Sequence, residues 1–325
     1  LLGEFRVGKA RWQKHALGSH QVKIFGKIED DSIHTPPEKK NYHRTGHLPP
    51  FRTEGGIQLY QSVHRYLSEG QQLVKNGEPA FAPIEFDSSS LSSLDSEIGG
   101  GFPKGRCTAL VGDRGSLKSH LAYLWLVSAA SRSAKNGNNE EPVLLLSLRD
   151  DEVEAVSRLN DIYQDEKNAG NTGLLAPSEL IDRNLLRVVH FRPGYTAPDE
   201  FMFRLWFHVK DFNPRRMVIA SLSQLDSLFP LCSVEPVFVP SILDLLSASK
   251  ITTVAIGVSG TSQPPTQHGL LSQSSLILSF TRDPKAVPPN RIRLRVSRLP
   301  IARPGGGGGW LDLDEEKSNQ LQFTT

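Results

Sequence analysis

Cysteine is nearly absent, with Cys107 and Cys232 the only two among 325 residues, each inside an apolar stretch. A disulfide framework is thereby excluded, and a reducing, intracellular setting is expected, with the cytoplasm as the compartment. An excess of one charge is missing too. The formal net charge is only +2, so bulk electrostatics call for neither nucleic acid nor a membrane surface. No apolar run approaches the ~18–20 residues a membrane span needs. The chain opens on Leu1-Leu-Gly-Glu-Phe-Arg6, without Met and without the charged start and apolar centre of a signal peptide. The numbering is therefore expected to begin inside a longer polypeptide. Zinc spacing is also lacking: His34, His43, His47 and His64 lie in or near one polar segment, but no cysteine accompanies them. No G-x-S-x-G elbow supports nucleophilic hydrolase chemistry.

What is present divides the chain into unlike parts. Residues 1–29 alternate enough to suggest extended structure, and residues 30–50 are polar, Pro-rich and without period, as in a long loop. Gly56-Ile-Gln-Leu-Tyr60 returns to strand character, and residues 64–83 read as a linker with a short helix around Val63–Leu73. From about Ile84 the texture changes. Cys107–Val111, Pro142–Leu148, Leu186–Phe191, Met217–Leu222, Ile251–Gly257 and Ser275–Phe280 are short apolar runs. They alternate with helical stretches at Leu91–Ile98, His120–Ser133, Asp151–Glu166, Pro198–Phe212 and Pro240–Ser249. Continuous apolar strands alternating with helices predict an α/β fold, a mainly parallel sheet covered on both faces. Arg291–Arg298 alternates basic and apolar residues, and a glycine-rich turn leads to Trp310-Leu-Asp-Leu313, which predicts a closing β-hairpin.

The stretch with chemistry is Gly112-Asp-Arg-Gly-Ser-Leu-Lys-Ser119. It follows a buried strand and opens a helix, and it fits the phosphate-binding pattern G-x-x-x-x-G-K-[ST] except that Leu117 stands where the second glycine belongs. Such loops hold phosphates with successive backbone N–H groups and a helix N-terminus, while Lys meets the β/γ-phosphates and Ser/Thr binds Mg²⁺. The candidate nucleotide-binding residues are Gly112, Asp113, Arg114, Gly115, Ser116, Leu117, Lys118, Ser119 and His120. Ser119 is the candidate Mg²⁺ ligand. The competing reading is a loop that keeps its shape but holds nothing because Leu117 fills the cradle.

Leu94-Asp-Ser-Glu-Ile-Gly-Gly-Gly-Phe-Pro-Lys-Gly105, followed by this loop, resembles the entry of the KaiC-like branch of the RecA superfamily of P-loop NTPases. Pro214-Arg-Arg-Met-Val-Ile-Ala-Ser-Leu-Ser-Gln-Leu225 is similar to the branch's Walker B strand, the one whose acidic residue positions Mg²⁺ and its water. Leu17-Gly-Ser-His20 and Pro50–Ile57 look like the closing hairpin of a preceding domain of the same type. The likeness thus implies a β-rich end of one RecA-like domain over 1–63, a linker, and a RecA-like P-loop domain over 84–325. The stretches 21–49 and 260–274 match the branch poorly. The family implies an ATP-binding core that assembles into rings or filaments, with nucleotide at the subunit boundary.

Three departures bear on activity. Ala220 occupies the acidic Walker B position, and the glutamate pair of the family falls near Arg149-Asp150. Asp150 is the candidate base; alternatively Asp150, Asp151 and Glu152 are only an acidic helix start. Leu117 is the third departure. Together they predict a nucleotide-binding module with impaired hydrolysis that works through assembly or regulation. The alternatives are a slow ATPase completed by a partner subunit, and a structural or DNA-binding recombinase-like subunit. Lys14, Arg293, Arg295 and Arg298 are candidates for a neighbour's phosphate or for nucleic acid, or they protect an edge strand by charge.

Overall fold

The computed structural model describes residues 84–136, 141–191, 194, 196–234, 237–258, 265–283 and 291–299, together with the course of strands at 2–6, 19–25, 56–60, 310–314 and 322–324. Strands β1 (Leu2–Arg6), β2 (Ser19–Phe25) and β3 (Gly56–Tyr60) form an antiparallel three-stranded sheet in that order. The Pro-rich loop and the expected helix at Val63–Leu73 lie outside the described residues.

The rest is built on one nine-stranded sheet. After the small ribbon of β4 (Phe86–Asp87) and β5 (Phe102–Pro103), joined through helix α1 (Ser92–Ile98), the chain enters β6 (Cys107–Gly112) and helix α2 (Lys118–Asn136). There follow β7 (Val143–Ser147), α3 (Glu152–Asn168), α4 (Pro177–Asp182), β8 (Leu186–His190), α5 (Pro198–Phe212) and β9 (Arg216–Ala220). Two short helices, α6 (Leu225–Leu228) and α7 (Pro230–Ser233), precede α8 (Phe238–Ala248), β10 (Thr252–Ile256), α9 (Pro265–Gln273) and β11 (Leu276–Asp283). The end is β12 (Arg291–Arg298), β13 (Trp310–Asp314) and β14 (Gln322–Thr324).

The strand order is β8-β7-β9-β10-β6-β11-β12-β13-β14. Neighbours from β8 to β11 pair in parallel and those from β11 onward antiparallel. The hairpin expected from the basic-apolar alternation and the glycine turn is the β12–β13 pair.

Period-two alternation along each parallel strand sorts the core into two layers. Leu110, Val143, Leu145, Val218 and Ala220 face α2, α3 and α4, packing with Leu121, Trp125, Leu159 and Leu180. Cys107, Ala109, Val111, Leu144, Leu146, Met217 and Ile219 face the other way, onto Phe201, Leu205, Ile242, Leu246 and Leu270 of α5, α8 and α9. All six residues of β6 are buried, which explains why its sequence shows no polar face. Helix α2 is apolar nearly all round because the sheet, α3 and α4 enclose it; every residue from Leu121 to Ala130 is buried, and Trp125 meets the edge of Phe102 at 5.4 Å between ring centres.

The entry segment is clamped to the sheet by charge. The Arg216 guanidinium makes a bidentate pair with Asp87 and a further bond to Glu141, with Arg216 and Asp87 both buried. The three glycines of the entry all take positive φ. At Gly101 a Cβ would lie 2.1 Å from the Asp87 carbonyl oxygen, so no side chain fits where the ribbon folds back.

The stretch 260–274, which matches the branch poorly, contains α9, a helix the sequence pattern did not predict. The predicted helix at Pro240–Ser249 starts earlier, at Phe238.

Candidate functional site

Every parallel strand ends at the same edge of the sheet, which is where α/β sheets carry ligands. The loops after β6, β7, β9 and β10 therefore converge, although they are far apart in sequence. Loop 113–117 is set against β11: the Asp113 N–H donates to the Phe280 carbonyl at 3.4 Å, and a Cβ on Gly112 would sit 2.0 Å from that oxygen. Gly112 and Gly115 take φ of 150° and 74°.

Leu117 takes φ of 60°, the left-handed conformation that a glycine adopts without strain. The loop thus holds the backbone shape of a glycine at this position in spite of the substitution. The leucine side chain packs against the core beneath α2, and the Leu117 carbonyl accepts the first helical hydrogen bond, from the Leu121 N–H at 3.0 Å. Core packing offsets the ~1–2 kcal/mol of a left-handed non-glycine residue.

Lys118 is folded onto its own loop. Its ammonium donates to the Gly112 carbonyl at 2.8 Å, to the Ser116 hydroxyl at 2.9 Å and to the Asp113 carbonyl. It is only 5% exposed. Burial pushes its pKa down to about 8, against a smaller opposing pull from Asp113. By contrast, none of the backbone N–H groups from Arg114 to Ser119 donates to another group among the described residues. Ser119, Asp113 and Arg114 are exposed. His120 is half-buried, with Nε2 shielded and unpartnered among the described residues; burial lowers its pKa, with Glu166 and Asp165 opposing.

The loop after β7 brings Asp150 to the same edge with its side chain engaged. Its carboxylate is held by Arg158, at 3.1 and 3.2 Å to the two oxygens, and lies 3.8 Å from Arg149. The Ser147 hydroxyl donates to the Asp150 carbonyl at 2.5 Å. Asp151, by contrast, accepts from the Glu154 N–H at 2.8 Å and caps α3. At the end of β9, Ala220 presents a methyl group, and the peptide that follows it is cis. Ser221 donates to the Ile256 carbonyl and bonds Ser223, both at 2.8 Å.

The remaining basic candidates separate. Arg298 donates to the carbonyls of Leu271, Ser272 and Ser274 at 2.9–3.3 Å and so closes the C-terminal end of α9. All three bonds come from one terminal nitrogen of the guanidinium. Arg293 and Arg295 alternate with buried Ile292 and Leu294 on β12, in register with Thr281 and Ser279 of β11. Lys14 lies outside the described residues. One residue was missed by sequence reasoning. Arg282, at the end of β11, donates its guanidinium to the Gly115 carbonyl at 3.0 Å and its N–H to the Asp113 carboxylate at 3.4 Å. Nothing in its local sequence marks it; the parallel pairing of β11 with β6 puts it there.

The sequence model of the KaiC ATPase family matches residues 88–270, more than half of the chain. The chain belongs to the KaiC ATPase family. No curated protein matches it. Among solved structures it is similar to the KaiC-like protein PH0186 from the hyperthermophilic archaeon Pyrococcus horikoshii OT3, at 16% identity and a TM-score of 0.53, over 75% of this chain and 100% of that one. At that identity the likeness speaks for the RecA-like fold. The family match spans the loop, the Asp150 region and the end of β9, and stops before Arg282 and the basic strand β12. No helix among the described residues is long and apolar enough to cross a membrane.

Proposed function

We propose that this KaiC-family chain binds ATP or ADP on residues 112–119 and hydrolyses it poorly, serving assembly or regulation of a larger complex. The observation that carries the binding reading is the row of N–H groups from Arg114 to Ser119 with no acceptor among the described residues, above a buried ammonium. Backbone donors are seldom left without acceptors, and a curved row of them at the start of a long helix is an anion cradle. Leu117 does not spoil it, because its side chain is anchored in the core.

Weak hydrolysis follows from chemistry rather than shape. A methyl group at Ala220 cannot orient a metal-bound water. The Asp150 carboxylate has both oxygens engaged by Arg158 and lies beside Arg149, so neither oxygen is free to orient an attacking water. Calorimetric titration with ATP and with ADP is expected to show binding, and single-turnover assays to show little or no phosphate release. No heat at millimolar nucleotide would refute binding; turnover at ordinary ATPase rates would refute the impairment. The assembly reading is checked by light scattering with and without nucleotide, where a nucleotide-dependent rise in mass is expected and an unchanged monomer refutes it.

A further inference from the structure

Resting on that reading, we propose that the loop takes its nucleoside polyphosphate without a divalent cation, with Arg282 supplying the charge that a metal supplies in hydrolysing relatives. The donor set around Ser119 fits a metal badly. Hard divalent cations want several oxygen ligands, carboxylates among them. Two carboxylates on the converging loops are already engaged: Asp113 accepts from the Arg282 N–H, and Asp150 is held by Arg158. At the end of β9, where a third would stand, there is Ala220, followed by hydroxyls that bond each other and the Ile256 carbonyl. Among the described residues no cluster of His, Cys, Asp or Glu is arranged to hold a metal.

Positive charge, in contrast, is provided twice. Lys118 lies beneath the cradle. Arg282 lies at its rim, exposed, its guanidinium making one hydrogen bond among the described residues, to the Gly115 carbonyl. That bond uses one of five donors, and a planar guanidinium is suited to bridging two phosphate oxygens. The guanidinium lies directly over Gly115, whose Cβ position would be in ordinary contact with its terminal nitrogen at 3.6 Å. The strand end is also fixed in place, because the Phe280 carbonyl and the Arg282 N–H both bond Asp113. Arg282 therefore needs only a side-chain rotation to exchange the Gly115 carbonyl for a phosphate.

The test is calorimetric titration of the full chain with ATP in EDTA and in excess Mg²⁺, for the native protein, Arg282→Gln and Arg282→Lys. The native chain is expected to bind equally, within about threefold, in both media. Arg282→Gln is expected to weaken binding in EDTA at least tenfold, and Arg282→Lys to recover part of the loss, which a merely structural role of the side chain would not give. Ala220→Asp should convert the site, making binding Mg²⁺-dependent. Binding that requires Mg²⁺ in the native chain, or an Arg282→Gln variant that binds like the native one, overturns this inference while leaving the nucleotide reading intact. No binding in either medium overturns both.

Discussion

Replacing Leu117 by glycine restores the residue that the phosphate-loop pattern calls for, and the structure sets the size of the effect. Relief of the left-handed backbone at φ of 60° favours the variant by ~1–2 kcal/mol. Against it stand the loss of a partly buried leucine from the core, worth about 1 kcal/mol as roughly half of a fully buried side chain, and the greater freedom of glycine in the unfolded chain, ~0.5–1 kcal/mol. The terms nearly cancel, and Leu117→Gly is expected to change stability by less than about 1 kcal/mol. Gly112→Ala is the contrast. Its Cβ would lie 2.0 Å from the Phe280 carbonyl oxygen and 2.9 Å from the Phe280 Cβ, at a φ of 150°. The β6–β11 pairing must open to admit it, at a cost of more than about 3 kcal/mol. Urea unfolding followed by circular dichroism measures both. A loss above about 2 kcal/mol in Leu117→Gly would show that packing, not backbone strain, dominates at this position. A native-like Gly112→Ala would refute the close approach of the two strands.

Three further outcomes are expected. Because burial holds the Lys118 pKa at about 8, the free ammonium loses its proton above that pH while a phosphate-bound one keeps it. Nucleotide affinity should therefore be full below pH 8 and fall about tenfold between pH 7 and pH 9, and Lys118→Met should bind weakly with no such slope; calorimetry across pH checks both. Arg216→Ala leaves Asp87 buried without its partner and should cost about 3–5 kcal/mol in urea unfolding. Arg298→Ala uncaps the carbonyls at the end of α9; about 1 kcal/mol of lost stability with unchanged nucleotide affinity is expected.

The sequence by itself determined the alternating α/β plan, the phosphate loop and the family. Buried strands such as Cys107–Val111 and Val143–Ser147 leave an unmistakable apolar run because both of their faces are covered, and the Gly99-Gly-Gly101 entry leaves its mark because its backbone runs at positive φ and no side chain fits at Gly101 beside Asp87. Helix α9 left little trace. It contains Gly269, whose missing side chain is explained by close packing against Val239 and Pro240 of α8, a contact between elements that no local pattern records. The same limit applied to the site. Lys118 and Asp150 were legible as residue types at family positions, but only the fold engaged the Asp150 carboxylate with Arg158 and tied Arg298 to α9. Arg282 is the clearest case, since it is brought to Gly115 by the parallel register of β11 on β6, across a separation of 167 residues. Motif and burial are written locally along the chain; the partners of its charges depend on which strands lie side by side.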